Sequence, residues 1–167
     1  MNAPLDSAVG AVTLDEAIRF IWAETEILDR LAYREWLPLW SATGLYIVPI
    51  DREGGNPVDS LNIVYDGAEM REARVKRLLS GFSMSSAPPA RTARTTSRFV
   101  LESAAAASAR VRCAQILVEY KYGRTRTLAA DMTYDLVRAT DGALRIERKL
   151  VMLLNSDDHQ FGMGYLL

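Results

Sequence analysis

The side chains best suited to chemistry are scarce in this chain. Its 167 residues hold one cysteine, Cys113, and one histidine, His159. A single cysteine closes no intramolecular disulfide. The pair cannot supply a Cys/His structural zinc site, a Rieske cluster with its two Cys and two His, or a 2-His-1-carboxylate iron site. Ser–His–Asp or Cys–His catalysis would have to run through His159. That residue ends the polar stretch Asn155-Ser-Asp-Asp-His159, which reads as an exposed tail. Cys113 lies on the apolar face of a predicted strand, where it reads as a small core residue rather than a reactive thiol.

Arginine is the other chemically capable residue, and it is unevenly spread. Residues 1–69 carry 12 acidic and 4 basic side chains, whereas residues 70–98 carry 7 basic and 1 acidic. The whole chain has a net charge of −1. The basic island is Arg71, Arg74, Lys76, Arg77, Arg91, Arg94 and Arg98. It reads either as a solvated helix face plus a loop, or as a contact surface for an acidic partner, such as the acidic N-terminal part of a second copy. Arg91 and Arg94 follow Pro88-Pro89, and guanidinium forks make bidentate bonds to carboxylates. Arg74, Arg77, Arg91, Arg94 and Arg98 are therefore the candidate subunit-interface residues. The balanced charge gives no reason to expect nucleic acid. No apolar run reaches transmembrane length, and the opening residues lack a basic region followed by an apolar stretch. The expectation is a reduced, cytoplasmic setting without membrane contact.

The elements that must position these residues read as helices first and strands afterwards. Residues 1–12 read as a flexible arm and 13–167 as one domain. Thr13-Leu-Asp-Glu16 has capping-box spacing, and Leu14, Ala17, Ile18, Ile21, Trp22, Leu28 and Leu31 follow at helical spacing, which predicts a helix over 14–30. A short helical piece from Tyr33 to Trp40 is interrupted near Pro38. Strands are predicted at 44–49 and 61–65, around a Gly/Pro-rich turn. Asp66 reads as the cap of a helix over 67–80, with Met70, Ala73, Leu78 and Leu79 as its apolar residues and Gly81 as its stop. Residues 82–94 read as irregular, and strands follow at 95–106, 110–122, 128–138 and 144–154. A phase shift near Ala114-Gln115 predicts a bulge, and Asp141-Gly142 a hairpin turn. This order predicts an α+β fold, one long curved sheet wrapped around an N-terminal helix layer.

Several segments then match a known family in order. They are Glu26-Ile-Leu-Asp29 with Tyr33-Arg-Glu-Trp36; Tyr46-Ile-Val-Pro49; and Ile63-Val-Tyr-Asp66 with Arg74-Val-Lys-Arg77. Next come Pro88-Pro89-Ala-Arg91-Thr-Ala-Arg94, and Tyr134-Asp-Leu-Val-Arg138 with Asp141-Gly142 and Ile146-Glu-Arg148-Lys149. Over residues 14–155 the chain resembles the beta, or small, subunit of aromatic-ring-hydroxylating dioxygenases, in the nuclear-transport-factor-2-like (SnoaL-like) superfamily. It departs from the family at Ser97-Arg98-Phe99-Val100, at Arg148-Lys149 and in the bland run Ala104–Ala107. The resemblance implies a cone-shaped fold with a mixed or antiparallel sheet, a trimer of small subunits, and an α3β3 assembly with large subunits. It also implies that the Rieske 2Fe-2S cluster and mononuclear Fe(II) sit on the large subunit, with electrons from NAD(P)H. The holoenzyme would add both atoms of O₂ to an aromatic ring. This chain would carry no cofactor and act as a non-catalytic structural part.

The same superfamily includes small enzymes that do proton chemistry in the cone pocket, with a carboxylate base and a donor aimed at a developing enolate. That reading makes Asp131 the base of an isomerase, dehydratase or cyclase, and Tyr46, Tyr65 or Tyr134 the donor. The opposing reading is an outward-facing strand carboxylate paired with Arg110, Arg112 or Arg126. A third reading is a ligand-binding module without catalysis. Trp22, Trp36 and Trp40 read as core or interface anchors.

Overall fold

The computed structural model describes residues 10–53, 55–81, 87–158 and 162–167. His159 and part of the irregular stretch, residues 82–86, lie outside the described residues, as do residues 1–9 of the expected arm. Val12, at the end of that arm, is buried in the core.

Helix α1 spans Leu14–Asp29. Its capping box forms as the spacing predicts: Thr13 Oγ1 accepts the Glu16 N–H at 3.2 Å, and the Glu16 carboxylate accepts the Thr13 N–H at 3.0 Å. Ala17, Ile21 and Leu28 form its buried stripe, together with Glu24 and Thr25. Helix α2 covers Tyr33–Trp36, and a 3₁₀ turn over Leu37–Leu39 absorbs Pro38. Strand β1, Trp40–Pro49, starts earlier than predicted because Trp40 already pairs with Ile146. Strand β2 is Asn62–Asp66 and helix α3 is Ala68–Leu79. Strands β3 (Arg91–Ala105), β4 (Ser108–Lys121), β5 (Arg124–Arg138) and β6 (Leu144–Leu153) complete the chain.

The six strands form one sheet in the order β2-β1-β6-β5-β4-β3. The β1–β6 pair is parallel and the other pairs are antiparallel, so the sheet is mixed. One face carries Tyr46, Val111, Cys113, Met132, Tyr134, Ile146 and Val151, all buried with the stripe of α1. The other face is open. Residues 164–167 return to the helix-covered side and are buried there.

Three expectations are corrected. Asp66 does not cap α3; Gly67 is the cap residue, and the Asp66 carboxylate takes Arg74 Nε and Nη2 at 2.5 and 3.0 Å. The buried residues of α3 are Arg71 and Val75, while Met70 and Leu79 are substantially exposed. Arg71 goes inward because its guanidinium donates to the Gly44 and Asp66 carbonyls and stacks 4.3 Å over the Trp40 ring. Strand β4 has no bulge. Ala109, Val111, Cys113, Gln115, Leu117 and Glu119 point inward in unbroken alternation, so Ile116, Val118 and Tyr120 face out. The irregularity lies on β3, where the register shifts between Ser97 and Val100 and Arg98 takes φ +55°.

Gly44 sits where β1 is irregular against β6. A Cβ there would stand 2.7 Å from the Ile146 carbonyl oxygen and 2.8 Å from Trp40 Cε3. Gly44→Ala is expected to cost about 1–3 kcal/mol through this overpacking. Urea unfolding checks it, with far-ultraviolet circular dichroism expected to be unchanged.

Candidate functional site

The interior of the cone holds a polar cluster built on Glu24. The residue lies on the apolar stripe of α1, in phase with Ala17, Ile21 and Leu28, and is fully buried. Its Oε1 accepts Lys149 Nζ at 2.9 Å and Trp36 Nε1 at 2.8 Å; its Oε2 accepts the Tyr134 hydroxyl at 2.8 Å. Lys149 is also fully buried, and its ammonium lies 5.5 Å from the Tyr134 ring centroid and 5.9 Å from that of Tyr46. Burial lowers the pKa of Lys149, and the facing Glu24 carboxylate works against that shift. Burial also drives the Tyr134 hydroxyl well above its ordinary range, with Glu24 adding to the effect. Around it, Trp36 packs edge-on against Trp40 and Tyr46 at 5.1 and 5.6 Å. Every donor aimed at Glu24 is already engaged, so the cluster is a closed network rather than an open acid–base site.

The mouth of the cone is closed by the segment ending at Leu167. Tyr165 Oη donates to Glu119 Oε2 at 2.5 Å, and Arg126 Nη2 donates to the same carboxylate oxygen, also at 2.5 Å. Arg94 donates to the Leu166 carbonyl, and the Leu167 N–H donates to Tyr46 Oη at 2.9 Å. Beside this segment remains a cavity of about 220 Å³ lined by Tyr46, Ile63, Val64, Arg74 and Met163.

The open sheet face has a different character. Ile116 and Val118 are 50% and 39% exposed and stand opposite Ala129 and Thr127 of β5, while Leu150 and Met152 of β6 lie on the far side of β5, opposite Thr133 and Asp131. Arginine–carboxylate pairs stand around them. Arg110 and Arg148 share Asp135 at 2.6 and 2.8 Å, Arg112 meets Glu102 at 2.8 Å, and Arg98 and Arg52 share Asp131 at 3.2 and 3.5 Å. Burial alone would raise Asp135, but Arg110 and Arg148 hold its carboxyl below the usual range.

The predicted site residues separate accordingly. Asp131 stands on the open face, half-exposed, and its partners are Arg98 and Arg52 rather than Arg110, Arg112 or Arg126. Tyr46 and Tyr134 stand on the opposite, buried face, and Tyr65 points outward from β2. The geometry therefore brings no tyrosine hydroxyl to Asp131. Three of the seven members of the basic island are neutralised within the chain: Arg94 pairs with Asp29 and its side chain is fully buried, Arg74 pairs with Asp66, and Arg98 with Asp131. Arg77 and Arg91 remain exposed, with Arg91 lying 5.4 Å over the Tyr120 ring. Trp22 is exposed, unlike Trp36 and Trp40. Glu24 was in no expected set, although a carboxylate in phase with Ile21 and Leu28 was a readable signal. Lys149 was readable likewise, two residues before Val151 and four before Leu153. Among the described residues no three His, Cys, Asp or Glu side chains group so as to hold a metal ion, and no helix is long and apolar enough to cross a membrane.

Two predictions follow from this interior. Lys149→Met strands the buried Glu24 charge and is expected to cost about 3–5 kcal/mol by urea unfolding. The double variant Glu24→Gln/Lys149→Met is expected to recover part of that loss, because no unpaired ion remains. Cys113 is buried, and burial pushes its thiol up to about 12. It is expected to resist Ellman's reagent at pH 8 in the native state and to react fully in 6 M guanidinium.

Comparison with known proteins places this architecture. Residues 23–157 match the family model of the ring hydroxylating beta subunit. The small oxygenase component of the p-cumate 2,3-dioxygenase system of Pseudomonas putida is 29% identical over 144 residues, covering 85% of this chain and 79% of that protein. The crystal structure of the beta subunit of a Burkholderia mallei benzoate 1,2-dioxygenase superposes with a TM-score of 0.76 at 22% identity, over 93% of this chain and 98% of that one. A nuclear-transport-factor-2-like protein from Novosphingobium aromaticivorans, described as having a cystatin-like fold, gives 0.57 at 16% identity, over 84% of this chain and 81% of that one. These last two likenesses speak to the fold, which is the α+β arrangement read from the residues and the cone that the resemblance implies. With its family match spanning most of the chain, this protein belongs to the ring hydroxylating beta subunit family.

Proposed function

We propose that this chain is the non-catalytic small subunit of a multicomponent, Rieske-type aromatic-ring-hydroxylating dioxygenase, and that it holds catalytic large subunits in threefold register. The observation that carries the proposal is the division between its two sheet faces. On the inner face, Glu24, Lys149 and Tyr134 are spent on one another in a closed network. The outer face presents exposed apolar side chains beside arginine–carboxylate pairs, the composition of a docking surface. Such a broad face, engaging a different surface on its neighbour, supports a cyclic assembly when the rotation closes. Arg77 and Arg91 are the members of the basic island best placed to add contacts, whereas Arg94 is committed to Asp29 inside the chain.

The donor set of this chain does not fit either iron centre of such an enzyme. One cysteine, buried with its thiol pKa raised, and one histidine cannot replace the two Cys and two His of a Rieske cluster. We therefore assign both centres to the large subunit, which would also receive electrons from NAD(P)H and shape the pocket for the aromatic ring. The proposed setting is the cytoplasm, and the proposed assembly is α3β3. No step of the oxygen chemistry runs through residues of this chain.

The test is affinity capture of this chain from its native host, followed by native mass and a visible spectrum. The expected result is a larger polypeptide in equal number with an iron–sulfur absorbance. Ile116→Glu/Val118→Glu is expected to lose that partner or the trimer while keeping its circular dichroism. A colourless wild-type chain without a partner would overturn the reading.

A further inference from the structure

We propose that the mouth of the cone is a binding site for a small apolar molecule with a hydrogen-bond-accepting head, a carbonyl or carboxylate, and that residues 164–167 are the occupant the chain supplies to itself. The segment is held as a ligand would be. Four strands contribute to it: Tyr46 from β1, Arg94 from β3, Glu119 from β4 and Arg126 from β5. The two contacts deepest in the mouth are made to its backbone. Arg94 donates to the Leu166 carbonyl; Tyr46 Oη accepts the Leu167 N–H at 2.9 Å and faces the Leu167 carbonyl at 3.3 Å. Neither contact reads a leucine side chain, so another carbonyl or carboxylate could take the Arg94 position. The leucines supply apolar volume, and both are almost wholly buried.

The fit of the segment is incomplete. A cavity of about 220 Å³ remains against Leu166 and Leu167, with Ile63, Val64 and Met163 in its walls and Arg74 among its lining residues. One buried donor of the same region, Arg94 Nε, has no hydrogen-bond partner. The Tyr33 hydroxyl stands in the field of Arg94 and bonds the Leu166 backbone, so it is a further hold on the segment. Buried donors left unmade are costly, and native structures satisfy most of them. A molecule with an accepting head beside Arg94, and an apolar body in the space of Leu166 and the cavity, would satisfy what the segment leaves open. Its binding competes with the segment, so occupancy of the mouth is an exchange between a tethered occupant and a free one. The inference concerns the cone interior and stands apart from the assembly proposed above, which uses the open face.

The experiment uses the full chain with Leu166→Gly/Leu167→Gly, which empties the apolar volume and keeps the backbone. The probe is 8-anilinonaphthalene-1-sulfonate, an apolar body with an anionic accepting head; uncharged N-phenyl-1-naphthylamine is the headless control. The variant is expected to bind the anionic probe about tenfold more tightly than the parent, at one saturable site per chain. An added peptide of sequence Gly-Tyr-Leu-Leu is expected to displace it, and a further Tyr46→Phe change to weaken it without affecting the control. Near-ultraviolet circular dichroism from Trp36, Trp40 and Tyr46 reports that the cone is intact. Absence of saturable binding in an intact variant overturns the inference, as does binding that neither the peptide nor Tyr46→Phe alters. If the glycine variant loses its near-ultraviolet signal, Tyr165→Phe, which removes the bonds to Glu119 and Arg126, takes its place. It is expected to raise probe binding several-fold over the parent, and no rise overturns the inference.

Discussion

The structure depends on one constraint: neither Glu24 nor Lys149 can be buried without the other. A carboxylate or ammonium taken out of water alone is strongly unfavourable, and the pair persists because its remaining valences are filled by Trp36 and Tyr134. Those four residues come from α1, α2, β5 and β6. An apolar helix lying in an apolar sheet could slide or rotate at modest cost. With Glu24 on its buried stripe, α1 has one rotation and one depth at which the charge is matched. The pair therefore acts as a register pin more than as a source of net stability.

Pinning the helix decides where function can lie. Once α1 is seated, the inner face of β4, β5 and β6 is covered, and period-two alternation sends every second residue to the open side. Cys113, Gln115 and Leu117 go in, and Ile116 and Val118 go out. The same alternation parts Asp131 from Tyr134 although both lie on β5. The Glu24–Lys149 network is then spent on holding the fold together, and the opposite sheet face stays uncovered by the helices of this chain.

The arginines show the same economy. An island of seven basic side chains beside an acidic N-terminal region looks, in one dimension, like two surfaces waiting for partners. Folding brings Asp29 to Arg94 and Asp66 to Arg74, so much of that complementarity is satisfied within one copy. The ladder on the open face is also internally paired, which lowers the cost of placing it near another protein, because few charges there lack a counterion.

What the residues alone determined is the local and periodic part. The capping box at Thr13 and Glu16, the 3₁₀ break at Pro38, the turn at Asp141-Gly142 and the α+β order all rest on local and periodic pattern, and all were legible. So was the shortage of cysteine and histidine, which is a matter of counting. The tertiary structure alone decided which face of β4 is the inner one, because its apolar residues occupy both phases and only the covering helix breaks the tie. It decided that Arg71 and Lys149 go inside, where a Trp40 ring with two carbonyls and a Glu24 carboxylate wait for them. It also decided that residues 164–167 fill the mouth of the cone. These outcomes depend on partners up to 125 residues away along the chain, as Glu24 is from Lys149, and short-range pattern carries no information about such meetings.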